Sequence, residues 1–147
     1  MTCPGDLPPT QVRVRRMLPA SPERVFAAWT NADSLKQWFR PGLTTSAEVE
    51  LDVRPDGRFR IFAHSADGDH EITGVYQEVS PPTRLVFTWN SPHTRGAATL
   101  VTVELRAVGG QTELTLTHER LPDPDAIAGH QRGWDLIAAK LEQALLQ

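Results

Sequence analysis

The chain of 147 residues has one cysteine, Cys3, and so cannot close an internal disulfide. That suits a reducing compartment, and a cytoplasmic location is expected. Nothing basic surrounds Cys3 to activate its thiol. The N-terminus lacks the charged start and apolar run of a secretory leader, and no apolar run is long enough to span a bilayer. Positive charge is not in excess: the net charge is -3, which gives no electrostatic case for nucleic acid. The common catalytic signatures are missing too. There is no H-E-x-x-H, C-x-x-C, G-x-S-x-G or P-loop, and no glycine-rich turn that opens a helix after a strand. No cofactor or metal is expected. Nor is there a repeat, a low-complexity segment or an interdomain linker. The length suits one domain, expected over residues 10–147 behind a loose tail of residues 1–9.

What the chain does have is regular apolar patterning. From Asp123 to the end, Ile127, His130, Trp134, Ile137, Ala138, Leu141 and Leu145 recur at spacings of three and four. That is one face of a long amphipathic helix, with Asp123 as its N-cap and Pro124 at its first position. Ser21-Pro22-Glu23 opens a short helix with Val25, Phe26 and Trp29 on one side. Asn31 caps a second, with Leu35, Trp38 and Phe39 inward, and Arg40-Pro41-Gly42 stops it.

The rest alternates with period two. Val12, Val14 and Leu18 alternate with Arg13 and Arg15; Val49, Leu51 and Val53 with Glu48, Glu50 and Asp52; Phe59, Ile61 and Ala63 with Arg58 and Arg60. Strands follow over Glu71–Val79, around Phe87, around Val103 and around Leu116, joined by turns such as Gly109-Gly110. Seven strands with short connections predict an antiparallel sheet in an α+β fold. The exposed arginine rows read as solvated strand faces that discourage edge pairing.

Three stretches carry a family resemblance: Val25-Phe26-x-x-Trp29 ahead of Leu35-x-x-Trp38-Phe39-x-Pro41, the run GVYQEVSPPTRLVFTW from Gly74 to Trp89, and His130-x-x-Gly133-Trp134. In that order they resemble the activator of heat-shock protein 90 ATPase homologues, a family of the START-like, or Bet v 1-like, superfamily. The resemblance covers residues 11–146. It implies a helix-grip fold, in which a curved seven-stranded sheet wraps the C-terminal helix and two short helices prop one end. It also implies a cavity between sheet and helix. The superfamily includes lipid and hormone binders and polyketide aromatase/cyclases, and the eukaryotic co-chaperones of the family carry a further N-terminal domain.

Three functions follow as expectations. The first is a binding module for a small apolar or aromatic ligand, with Trp38, Tyr76, Trp89, His118, His130 and Trp134 lining its pocket. The second is an enzyme of cyclase, dehydratase or hydrolase type using His118, His130 or Tyr76 as acid/base. The third is a module that acts on a chaperone through its surface. The pocket should favour neutral or singly anionic apolar ligands. For both histidines the ordinary alternative is a core-edge imidazole bonded to backbone. His64 and His70, near Asp67 and Asp69, read as a solvated hairpin tip rather than a metal site. Leu136, Ala139 and Leu146 form a second apolar strip on the long helix that could serve a homodimer contact. Gly129 and Gly133, inside that helix, are expected to allow close approach of a neighbouring element.

Overall fold

The computed structural model describes residues 11–39, 44–66, 68–94 and 98–146. The tail, the Arg40-Pro41-Gly42 stop and Asp67 lie outside them. Seven strands form one sheet: β1 (Val12–Leu18), β2 (Thr44–Leu51), β3 (Arg58–Ser65), β4 (His70–Ser80), β5 (Arg84–Trp89), β6 (Thr99–Val108) and β7 (Gln111–Glu119). Its order is β1-β7-β6-β5-β4-β3-β2, and every adjacent pair is antiparallel. The sheet curls into a half-barrel. Two short helices, α1 (Pro22–Thr30) and α2 (Ala32–Trp38), follow β1, and the long helix α3 (Pro124–Leu145) closes the chain. This is the helix-grip α+β architecture that the patterning and the resemblance imply.

Each helix starts where its cap dictates. The Ser21 hydroxyl accepts from Arg24 N, the Asn31 side chain from Ser34 N at 3.0 Å, and the Asp123 carboxylate from Ala126 N at 2.8 Å. Each bond satisfies an amide that the helix itself leaves without an acceptor. Pro22 and Pro124 sit in first turns, where the missing N–H costs nothing. Between β6 and β7, Gly109 and Gly110 both have positive φ, which a two-residue hairpin of this hand requires.

The alternation read from sequence is the burial pattern. Val12, Val14 and Leu18 are buried while Arg13 and Arg15 are exposed. Phe59, Ile61 and Ala63 face inward from β3. On α3 the buried set is Ala126, His130, Trp134, Ile137, Ala138, Leu141 and Leu145. Ile127, placed on that stripe by its spacing, is only partly buried at the edge of the core. Arg16 is the one charged residue that β1 turns toward α3, and its Nε donates to Glu142 at 2.9 Å. Strand β2 begins earlier than the alternation suggested and ends at Leu51, so Val53 follows the strand rather than belonging to it.

The expectation for Gly129 and Gly133 is overturned. A Cβ added at either position meets nothing within 4 Å. Among the described residues no element approaches there, which leaves the other reading of the two glycines, a softer first half of the helix. Gly129→Ala and Gly133→Ala should each stabilise the fold by about 1 kcal/mol. A thermal melt of the double variant that shows no rise would contradict this.

Candidate functional site

The inner face of the sheet, α1, α2 and α3 together bury a continuous aromatic cluster. Trp29 meets Trp38 edge-on with ring centroids 4.8 Å apart. Phe39 bridges Trp38, Trp89 and Trp134 at 5.9, 5.7 and 5.9 Å. On the other side Phe87 joins Trp29 to Phe59 and Tyr76. These spacings lie in the range where aromatic pairs attract beyond simple area burial.

His118, on β7, is fully buried at 0 % exposure, yet both ring nitrogens are satisfied. The Thr99 hydroxyl donates to the Trp89 carbonyl at 2.8 Å, so its oxygen is left to accept from His118 Nε2–H at 2.6 Å. On the far side of the ring, Trp134 Nε1–H donates to Nδ1 at 2.9 Å. This fixes the neutral Nε2–H tautomer. A second proton would have to sit on Nδ1, facing another N–H. Burial, helped by the neighbouring His130, pushes the His118 pKa down to about 3. His130 lies edge-on to His118, ring centroids 4.7 Å apart, and its Nδ1–H donates to the Ala126 carbonyl one helical turn back, at 2.7 Å.

A pH dependence follows. In the unfolded chain His118 titrates near 6.5, while folded it stays neutral to about 3. Between those values the unfolded state takes up a proton that the folded state refuses. The stabilisation is therefore whole above about 6.5 and is lost progressively as pH falls toward 3, by up to about 1.4 kcal/mol per pH unit. Urea midpoints measured from pH 6.5 down to 5, above most carboxylate titration, should fall more in the wild type than in His118→Leu. An equal slope in both would assign the effect elsewhere. His64, on the exposed outer face, runs the other way. Its Nε2 lies 3.0 Å from Glu48 and its Nδ1 3.3 Å from Asp69. The hydrogen bond to Glu48, aided by Asp69, raises its pKa above 6.5. Its small contribution is present below 6.5 and is lost as pH rises through the folded value. His70 also belongs to this hairpin, and no metal-holding group of three ligands occurs among the described residues.

A small cavity of about 20 Å³ lies between the sheet and the short helices. Trp29, Leu35 and Phe39 wall one side; Tyr76, Phe87 and Trp89 are among those walling the other. Space of this size admits about one water-sized group. Of the six expected lining residues, Tyr76 and Trp89 are on this cavity. Trp38, His118, His130 and Trp134 are buried in the cluster behind it, the last three forming its polar seam toward α3. Tyr76 is a poor base here: burial, with Asp52 nearby, pushes its phenol up to about 12. Sequence reasoning left Trp29 and Phe39 as plain core, because periodicity distinguishes inward from outward but not cavity wall from packed interior. It also missed Thr99, which lies two residues along β6 from Val101, the register partner of His118.

The architecture defines the class: a helix-grip domain, with a curled sheet closing on one long helix. Within it the family is set by the match of residues 19–146 to the family described as Activator of Hsp90 ATPase homolog 1-like protein, and the chain belongs to that family. Among solved structures it is similar to a protein of Rhodobacter sphaeroides, at 26% identity and TM-score 0.84, covering 97% of this chain and 96% of that one. It is also similar to a protein of Nitrosomonas europaea, at 24% identity and TM-score 0.80, covering 95% and 96%. A third likeness is to DynU16, a protein of the dynemicin biosynthetic locus, at 23% identity and TM-score 0.78; it spans 95% of this chain and 48% of that one. No curated protein matches. No described helix is long and apolar enough to cross a membrane.

Proposed function

We propose that the protein is a binding module for a small, mostly apolar molecule, held between the sheet and its helices. The observation that carries this reading is the cavity, whose described walls hold no charged side chain and are largely aromatic. Such walls with few polar tips suit an apolar ligand. At about 20 Å³ the space is closed down, so a ligand enters by displacing a wall. Leu35 and Phe39 are the natural moving part, since they come from a helix of only seven residues and its cap. Family membership agrees with a binding role. A cytoplasmic setting, which the lone cysteine suits, goes with it.

For His118 and Tyr76, two of the three residues it named, the catalytic alternative loses support from geometry. His118 has both nitrogens engaged and a pKa near 3, and Tyr76 stays protonated to about 12. A surface role on a chaperone would need a broad exposed apolar patch. Among the described residues the exposed large apolar side chains are Met17, Leu136 and Leu146.

Native mass spectrometry of protein purified from its own host tests the binding role. A retained apolar molecule supports it; a uniformly empty protein, with no binding of small aromatic probes, refutes it. A homodimer contact is a further proposal, on the strip of Leu136 and Ala139 from α3 with Leu146 at its C-cap. Leu136→Glu should then shift sedimentation toward monomer, and an unchanged profile dismisses that contact.

A further inference from the structure

The four tryptophans are all buried, yet their indole N–H groups fall into two sets. Trp38 Nε1–H donates to the Ala28 carbonyl at 3.2 Å, and Trp134 Nε1–H donates to His118 Nδ1 at 2.9 Å. Trp29 and Trp89, each 5 % exposed, have no hydrogen-bond partner for theirs among the described residues. The two without partners are the two that line the cavity; the two with partners do not line it. A buried donor left unmet costs about 1–3 kcal/mol, so such groups in a folded protein call for an explanation.

We infer that Trp29 and Trp89 are recognition donors, and that the cavity selects an apolar ligand bearing a neutral hydrogen-bond acceptor, such as a ketone, aldehyde, ester or quinone carbonyl. The inference rests on the binding role proposed above and narrows it. An indole N–H donates and cannot accept, so the ligand must supply the acceptor. The walls hold no Arg, Lys or Asp to balance a charge. A carboxylate or phosphate buried there would be unpaired and strongly disfavoured, as would an ammonium. Asp52, close enough to perturb Tyr76, opposes a further anion. His118 supplies no countercharge, because its neutral form is fixed by its partners on both sides. The ligand therefore has an apolar body and a neutral carbonyl-type oxygen, which excludes the singly anionic ligands that composition alone left open.

The test uses three single-ring probes of nearly equal shape: acetophenone, its hydrocarbon isostere α-methylstyrene, and benzoate. Calorimetry on the full chain should give acetophenone about tenfold tighter than α-methylstyrene, the gain expected of about one good buried hydrogen bond, with benzoate weakest. Trp29→Phe and Trp89→Phe keep an aromatic wall and remove the donor. Each should reduce acetophenone affinity more than α-methylstyrene affinity, so that the ratio between the two falls several-fold; that ratio separates recognition from any change in packing. In ¹⁵N-labelled protein, acetophenone should move the Trp29 and Trp89 indole resonances and leave those of Trp38 and Trp134 nearly still. Equal binding of ketone and hydrocarbon, or a preference that survives both substitutions, overturns the inference while the binding role stands. Binding of none of the three overturns both.

Discussion

Gly74→Ala should be among the most damaging single substitutions in this protein. Gly74 lies in β4 directly across from Phe59 in the β3–β4 pairing. An added Cβ would fall far inside contact distance of the Thr88 carbonyl oxygen on one side and the Phe59 ring on the other. Neither neighbour has room to yield. The Thr88 oxygen is backbone held in β5 by its pairing with β6, and the Thr88 hydroxyl also holds Val75 N at 2.8 Å. Phe59 is wedged against Tyr76 and Phe87. Overpacking of this kind costs about 3 kcal/mol or more. For a domain of this size that means a melting temperature lower by roughly 10 °C. Because Phe59, Tyr76 and Phe87 are cavity walls, ligand affinity should fall in the same variant. A wild-type melting temperature would mean that the sheet does not close over this glycine as described.

Truncation after Arg132 should leave no cooperatively folded chain. The lost segment carries Trp134, Ile137, Leu141 and Leu145, all buried. At ~1.5–3 kcal/mol apiece they account for roughly 6–12 kcal/mol, comparable with the whole stability of an ordinary domain. Two further losses follow. His118 Nδ1 loses the Trp134 donor and Arg16 loses Glu142. The concave face of the sheet, with Val12, Leu114 and Leu116, would lie open to water. A sharp thermal transition in the truncated chain would refute the grip of sheet on helix.

The elements of this architecture were readable from spacing, while their helix-grip arrangement came from the family resemblance. Period two in Phe59-Arg60-Ile61 and period three-to-four in Trp134-Ile137-Leu141 report which side of an element faces the core. Caps such as Asp123 and Asn31 are local chemistry and show themselves in a short window. The site was legible only in part. The sequence placed His118 and His130 on inner faces, where the structure has them. It could not show that His118 is held between Thr99 and Trp134, since those partners meet through register and helix placement. Gly133 misled for a related reason. A glycine four residues from Gly129 in a core-facing helix suggests close packing, but only the positions of the neighbouring elements decide whether anything is there. Likewise, which tryptophans keep a free N–H depends on where the cluster leaves space.

The gathering of every tryptophan into one interior cluster has an optical consequence. Trp29, Trp38, Trp89 and Trp134 are linked by centroid separations from 4.8 to 6.4 Å. At such distances the strong far-ultraviolet indole transitions couple, so the far-ultraviolet circular dichroism should show paired bands of opposite sign, absent from an isolated tryptophan. Excitation absorbed by any one ring migrates to whichever has the lowest energy. The intrinsic fluorescence thus reports on the whole interior at once, with no label attached. A carbonyl that accepts from Trp29 or Trp89 would enter that shared excited state directly, and its arrival should be visible as quenching in a simple titration.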